Sequence, residues 1–126
     1  MFIHIKPESD SPIYIQLIYQ IKKGIITKQL VPGEILPSVR SLAGDIGVNM
    51  HTVNKAYKQL EYEGIVLNRK NGFEVKKIED IKIEESKIKE LHSKLTELMI
   101  DAAIFQLTDQ KVKELKESIR TEILEG

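Results

Sequence analysis

The sequence predicts a mainly α fold with a small β element (α+β), in two parts of different character. Three observations support this. Apolar residues recur at three-and-four spacing in successive stretches, the mark of amphipathic helices. Two short apolar runs, Ile65-Val66-Leu67 and Phe73-Glu74-Val75, flank the turn dipeptide Asn71-Gly72. Packing residues then thin out, which separates residues 1–76 from a helical part at 85–126 by a charged linker at 77–84.

Ser11-Pro12 opens the first helix, a hydroxyl cap followed by proline at the first helical position, where its missing N–H costs nothing. Ile13, Tyr14, Leu17, Ile18, Ile21 and Ile25 form its buried stripe. The pattern stops near Gln29, and Pro32-Gly33 turns the chain toward a short extended piece, Glu34 to Leu36. A second, short helix begins at Pro37-Ser38, with Ser38 as cap, Val39, Leu42, Ala43 and Ile46 inward, and Gly47 closing it. Only Val48 and Asn49 separate Gly47 from a third helix, Met50 to Glu63, whose inner residues are Val53, Ala56, Tyr57 and Leu60.

Two helices joined by a short turn that contains glycine, with Val48 plugging the corner, make a helix-turn-helix. Gly64 ends the third helix, and the hairpin that follows at once carries Arg69 and Lys70 at its tip. A helix pair followed by a basic-tipped hairpin is a winged helix-turn-helix, so residues 1–76 are read as a DNA-binding domain of that kind.

The second part reads as two helices. One runs from about Glu85 to Gln106, with Ile88, Leu91, Leu95, Leu98, Met99, Ala102 and Phe105 as its stripe. Thr108 caps the other, which has Val112, Leu115, Ile119 and Ile123 on one face. Two helices and one short turn cannot bury both stripes alone, and a second copy of the chain is the natural partner. Packing back onto the first domain is the alternative. The residues expected to carry dimerisation are Leu91, Leu95, Leu98, Met99, Phe105, Leu115 and Ile119.

Composition removes several classes of function. With 41% apolar and 30% charged residues, the chain is an ordinary folded protein rather than a disordered one. No apolar run approaches the roughly 20 residues that span a bilayer, so no membrane partner is expected. The N-terminus lacks a basic start, an apolar stretch and a small-residue cleavage site, so no signal peptide is read there. Cysteine is absent, which excludes disulfides, thiol catalysis and thiolate metal sites and fits a cytoplasmic protein. His4, His51 and His92 are scattered without partners at metal-ligand spacing, and no glycine-rich phosphate loop or nucleophile elbow occurs. Catalytic residues, metal and cofactor are accordingly none, and the chain is not expected to be an enzyme.

A formal net charge of zero is an unpromising start for a nucleic-acid binder. The charge is unevenly spread, however. Residues 1–75 carry nine Lys and Arg against seven Asp and Glu, whereas residues 76–126 carry ten against twelve. Between Gln20 and Lys70 the count is eight basic to four acidic. So small an excess implies modest non-specific affinity, to be supplemented by using two copies of the module.

The runs Leu36-Pro-Ser-Val-Arg-Ser-Leu-Ala43, Gly47-Val-Asn-Met-His-Thr-Val-Asn-Lys-Ala-Tyr57 and Leu60-Glu-Tyr-Glu-Gly-Ile65 resemble the DNA-binding domain of the GntR family of bacterial regulators. Pro12-Ile-Tyr14 and Pro32-Gly-Glu34 match that family's usual opening. Asn-Lys-Ala-Tyr in the third helix, with a C-terminal part of two helices, is similar to the YtrA subfamily. The resemblance implies a cytoplasmic homodimer on a palindromic operator of double-stranded DNA, often repressing an operon for an ABC transporter. Two departures stand out. Many members of other subfamilies carry arginines where this chain has Met50 and Asn54, so their base contacts do not carry over. The wing, Arg69-Lys-Asn-Gly72, is about one residue shorter than the family's glycine-rich form.

Residue chemistry and resemblance together give the expected DNA contacts: Ser38, Arg40, Asn49, His51, Thr52, Asn54, Lys55, Lys58, Arg69, Lys70 and Gly72. Arg40 sits in the first turn of a helix, against the dipole, a placement that a phosphate or base edge compensates. Asn49, His51 and Thr52 open the third helix, where backbone N–H groups welcome phosphate and the first residues reach base edges. Asn54 has the amide that pairs with adenine, and His51 can donate to guanine or phosphate. Lys55 and Lys58 continue that face toward the backbone. Asn49 also has the plain role of cap, and Met50 either touches a thymine methyl or packs at the turn. Arg69 and Lys70 suit a wing contact or simple solubility, and Lys22, Lys23 and Lys28 read as a solvated face.

The function expected is therefore a dimeric, sequence-specific repressor of its own operon. The alternative is a winged-helix protein-interaction module, an adaptor without DNA binding. The tail is too small to enclose a ligand pocket of 300–1,000 Å³ within one subunit. A small-molecule or peptide effector is thus expected at the dimer interface or between tail and DNA-binding domain.

Overall fold

The computed structural model describes residues 3–125. The chain divides into two compact units, Met1–Ile81 and Lys82–Gly126.

In the first unit, helix α1 (Ile13–Ile26) starts one residue later than the sequence suggests. Pro12 is itself the N-cap, with φ −55° and ψ 147°, and no side chain caps the helix. Ser11, expected as the cap, is displaced from that position by Pro12. The Ser11 carbonyl instead accepts from the Gln16 amide at 2.9 Å. Gln16 and Gln20 do further work that the sequence did not announce. The Lys6 N–H donates to Gln16 Oε1 at 2.8 Å, and Gln16 Nε2 donates to the Lys6 carbonyl at 3.0 Å. Gln20 makes the same two-way contact with the backbone of His4. The N-terminal segment is thereby laid along α1, with Ile3 packed on the core.

Helix α2 (Val39–Ile46) ends at Gly47, whose φ of 69° lets the Val48 N–H donate to the Ala43 carbonyl at 3.0 Å. Helix α3 (Met50–Tyr62) follows directly. The core is built from Leu17, Ile18, Ile21 and Ile25 of α1, Leu42 and Ala43 of α2, and Val53, Ala56, Tyr57 and Leu60 of α3. Leu30, Leu36, Val66 and Val75 close it.

Strands β1 (Val66–Arg69) and β2 (Gly72–Val75) pair antiparallel, with Val66 opposite Val75 and Arg69 opposite Gly72. The turn is therefore Lys70-Asn71, one residue earlier than the Asn71-Gly72 expected. An Asn-Gly turn needs positive φ at both central residues. Here neither Lys70 nor Asn71 has it, and Gly72 alone does, at φ 126°. A Cβ on Gly72 would stand 2.9 Å from Ile35 Cγ2. Ile35 is that close because the extended piece Glu34 to Leu36 pairs with the far side of β2. The Val75 N–H donates to the Glu34 carbonyl and the Leu36 N–H to the Phe73 carbonyl, each at 2.8 Å. Strand β2 is thus held from both sides.

The second unit contains α4 (Glu85–Ile104) and α5 (Asp109–Glu125). Helix α4 stops where Gln106 turns to φ 56°, and the Leu107 N–H donates to the Ala102 carbonyl at 2.9 Å. Thr108 Oγ1 then accepts from the Lys111 N–H at 3.1 Å and caps α5, as expected. No residue of α4 is buried. Leu91, Leu95, Leu98, Met99, Phe105, Leu115 and Ile119 are between 44% and 74% exposed. Among the described residues, no helix is long and apolar enough to cross a membrane.

Candidate nucleic-acid interface

The local structure of the helix-turn-helix follows from two caps. Ser38 Oγ accepts from the Ser41 N–H at 3.0 Å, and Asn49 Oδ1 accepts from the His51 N–H at 2.7 Å. Each satisfies one orphan donor of its helix start, and at α3 the Thr52 N–H also donates to the Asn49 carbonyl at 3.0 Å. Asn49 therefore has the capping role, with its NH₂ group still uncommitted among the described residues.

Burial divides α3 into two faces. Val53, Ala56, Tyr57 and Leu60 are completely buried, so the 3.6-residue period turns His51, Asn54, Lys55 and Lys58 outward. All four are exposed, and Thr52 is half-buried. Arg40, the second residue of α2, is exposed and has no acidic partner among the described residues. Val39, Asn49, Met50, His51 and Asn54 together line an open, shallow depression of about 460 Å³.

The cations are held to different degrees. Lys55 Nζ sits 3.9 Å from the centroid of the Tyr14 ring, a cation–π contact that ties α3 to α1. Lys58 Nζ lies 3.5 Å from Glu61 Oε1 and 5.7 Å from the Phe73 ring centroid. In the wing, Arg69 Nε is 3.6 Å from Glu74 Oε2, while Lys70 is exposed and Gly72 half-buried at the foot of the turn. Lys22 differs from the solvated residue expected. It pairs with Glu63 at 2.9 Å, both side chains being largely covered, and so fixes α1 to the end of α3. Lys23 and Lys28 are exposed.

Tyr57 was legible as a core residue but not as a junction. Its hydroxyl donates to the Pro37 carbonyl at 2.7 Å, and its ring meets Phe73 edge-on with centroids 5.2 Å apart. Burial holds the phenol's pKa well above its ordinary value. One side chain thus connects α3 to the start of α2 and to β2. The available signal was the phenol itself, since a buried tyrosine hydroxyl usually finds a partner.

The assembled surface offers hydrogen-bond donors, amides and cations. Among the described residues, no group of three or more His, Asp or Glu side chains is placed to hold a metal ion. The family model for bacterial regulatory proteins of the gntR family matches residues 13–75, from the first residue of α1 to the last of β2. The chain belongs to the GntR family. The matched span of this GntR-family regulator contains every residue expected to face DNA, from Ser38 to Gly72. Similarity also reaches the tail. The HTH-type transcriptional repressor YtrA of Bacillus subtilis (strain 168) is 37% identical over 125 residues, covering 98% of this chain and 96% of its own. Within the family, the chain is thus of the YtrA type.

Two solved structures fix the architecture. A transcriptional antiterminator from Listeria monocytogenes EGD-e superposes with a TM-score of 0.92 and 29% identity, over 100% of this chain and 95% of its own. The DNA-binding domain of AraR in complex with operator ORX1 superposes with a TM-score of 0.52 and 25% identity, over 60% of this chain and 98% of its own. The GntR-family chain is a winged helix-turn-helix transcription regulator.

Proposed function

We propose that this regulator is a homodimeric repressor that reads a palindromic operator with α3 of each copy and controls its own operon. The observation that carries the reading is the two-faced α3, with its inner stripe sealed in the core and Asn49, His51, Thr52, Asn54, Lys55 and Lys58 on the other side. His51, Thr52 and Asn54 read base edges, and Arg40 reaches in from α2. Lys55, Lys58 and the helix-start N–H groups at Ser38 and Asn49 hold the phosphate backbone. Arg69 and Lys70 make the wing contact, with Gly72 giving the turn its shape.

Dimerisation belongs to α4 and α5, through Leu91, Leu95, Leu98, Met99, Phe105, Leu115 and Ile119. An exposed stripe running the length of two helices is unusual in a stable monomer and is supplied with a matching surface by a second copy. An effector, small molecule or peptide, acts at that interface by changing the separation of the two reading helices. The AraR domain bound to its operator and the name of the YtrA relative support the DNA-bound, repressing role. An ABC-transporter operon as the target rests on the resemblance to the YtrA subfamily alone.

The test is retardation of the DNA immediately upstream of the protein's own operon. A dimer bound to an inverted repeat, with affinity falling steeply as salt rises, is the expected result. An adaptor would show no salt-dependent DNA affinity and would place a different protein against the tail. That outcome would sink the proposal.

A further inference from the structure

The depression at the start of α3 has a chemistry that phosphate binding does not explain. Phosphate calls for cations and N–H donors, whereas Val39 and Met50 bring only apolar surface to it. Met50 is 45% exposed at the first position of α3, leaving a thioether in water beside the helix start. Around it stand amides. Asn49 has its oxygen committed to the His51 N–H at 2.7 Å, and Asn54, one turn further along, has both donor and acceptor uncommitted among the described residues.

In the major groove, the feature unique to an A·T pair is an adenine N6/N7 edge beside a thymine O4 and methyl group. An amide at a helix start matches the adenine edge, and an apolar lip next to it matches the methyl. A G·C pair presents no methyl, and the bidentate reader of guanine is an arginine or a lysine. Neither Val39, Asn49, Met50, His51 nor Asn54 is one. The hollow is also open rather than enclosed, which leaves it accessible to the edge of a base.

We infer that this depression is a thymine-methyl site: Met50 and Val39 take the C5 methyl group while Asn54 pairs with adenine, so the first turn of α3 selects A·T. The inference rests on the reading of α3 as the DNA-facing helix. Met50 is then a specificity-determining residue rather than a packing residue of the turn.

The experiment uses the full chain and a DNA fragment that it retards. Each thymine of the bound region is replaced singly by deoxyuridine, which removes the methyl group and keeps the base pair and O4. One thymine in each half-site is expected to weaken binding about fourfold when replaced, the equivalent of about 0.8 kcal/mol for one buried apolar carbon. In Met50→Ala protein that position no longer responds, whereas Met50→Leu, which keeps the apolar surface, preserves the response. A wild-type protein indifferent to every replacement overturns the inference, as does a Met50→Ala protein that keeps the fourfold penalty. If wild-type protein retards no fragment, the DNA-reading proposal itself fails, and that result appears before any uridine is introduced.

Discussion

The two units of the chain solve the same problem in opposite ways. In the first, each amphipathic element turns its stripe inward, and residues such as Leu17, Val53, Tyr57 and Leu60 are wholly removed from water. In the second, α4 and α5 carry apolar stripes as well, yet Leu98 is 64% and Phe105 74% exposed. Hydrophobic periodicity therefore marks a surface that seeks burial without saying where burial occurs. The first unit carries its own partner surfaces; in the proposed homodimer a second copy supplies them to the second.

Breaking the proposed dimer interface has the largest expected effect. Glutamate at both Leu95 and Leu98 places charge in the middle of the α4 stripe. It should turn the dimer into a monomer by sedimentation and lower operator affinity by about 10²–10⁴-fold, as lost bivalency does. The first unit should keep its secondary structure, and a variant that stays dimeric would remove α4 from the interface.

Alanine at Leu60 tests the opposite half of the comparison. A fully buried leucine should cost about 2–5 kcal/mol in denaturant unfolding, independent of protein concentration. Alanine at Leu98 should lose stability in a concentration-dependent way instead if, as proposed, a second copy buries that residue.

Smaller effects lie on the reading face. Arg40→Ala and Asn54→Ala should each weaken specific binding by about 1–3 kcal/mol, and Lys58→Ala should lower the salt slope by about one unit while affecting all sequences alike. An Asn54→Ala protein with unchanged sequence discrimination removes that residue from base reading.

The smallest effect concerns Tyr57. Losing the hydrogen bond to the Pro37 carbonyl in Tyr57→Phe should cost about 0.5–1.5 kcal/mol at neutral pH. The pH dependence has a definite sign. The buried phenol keeps its proton when the unfolded chain begins to release it, near pH 10. Stability from this group is therefore complete below about pH 10 and lost as pH rises above it. Tyr57→Phe should flatten that alkaline decline in urea melts; an identical decline in both proteins would refute the assignment.

Local chemistry was well recorded in the sequence. Ser38, Asn49 and Thr108 cap the helices that their spacing assigned to them, and Gly47 closes α2 at positive φ. Each of these depends on neighbours within a few residues. Distance in sequence hid the rest. Lys22 and Glu63 are 41 residues apart, and nothing in either segment names the other. The pairing of Glu34 to Leu36 with β2, and the ring of Tyr14 beneath Lys55, are likewise facts of the assembled fold. The wing turn was misplaced for another reason: Asn-Gly is a strong local signal, but the register of β1 against β2 decided the matter. For α3, the 3.6-residue period already set Tyr57 inward and Asn54 outward, and the observed burial agrees.

The junction at Tyr57 has a consequence for how such a protein diversifies. The side chains that brace α3, at positions 53, 56, 57 and 60, are fully buried, while 51 and 54 project away from them. The address can thus be rewritten without disturbing the foundation. On the proposed reading, an amide exchanged for a guanidinium at position 54 alters which bases are preferred and leaves the contacts to Pro37 and Phe73 as they were. If α3 reads the operator as proposed, new operator preferences can accumulate in lineages of this scaffold at little expense in stability, an evolvable surface on an inherited frame.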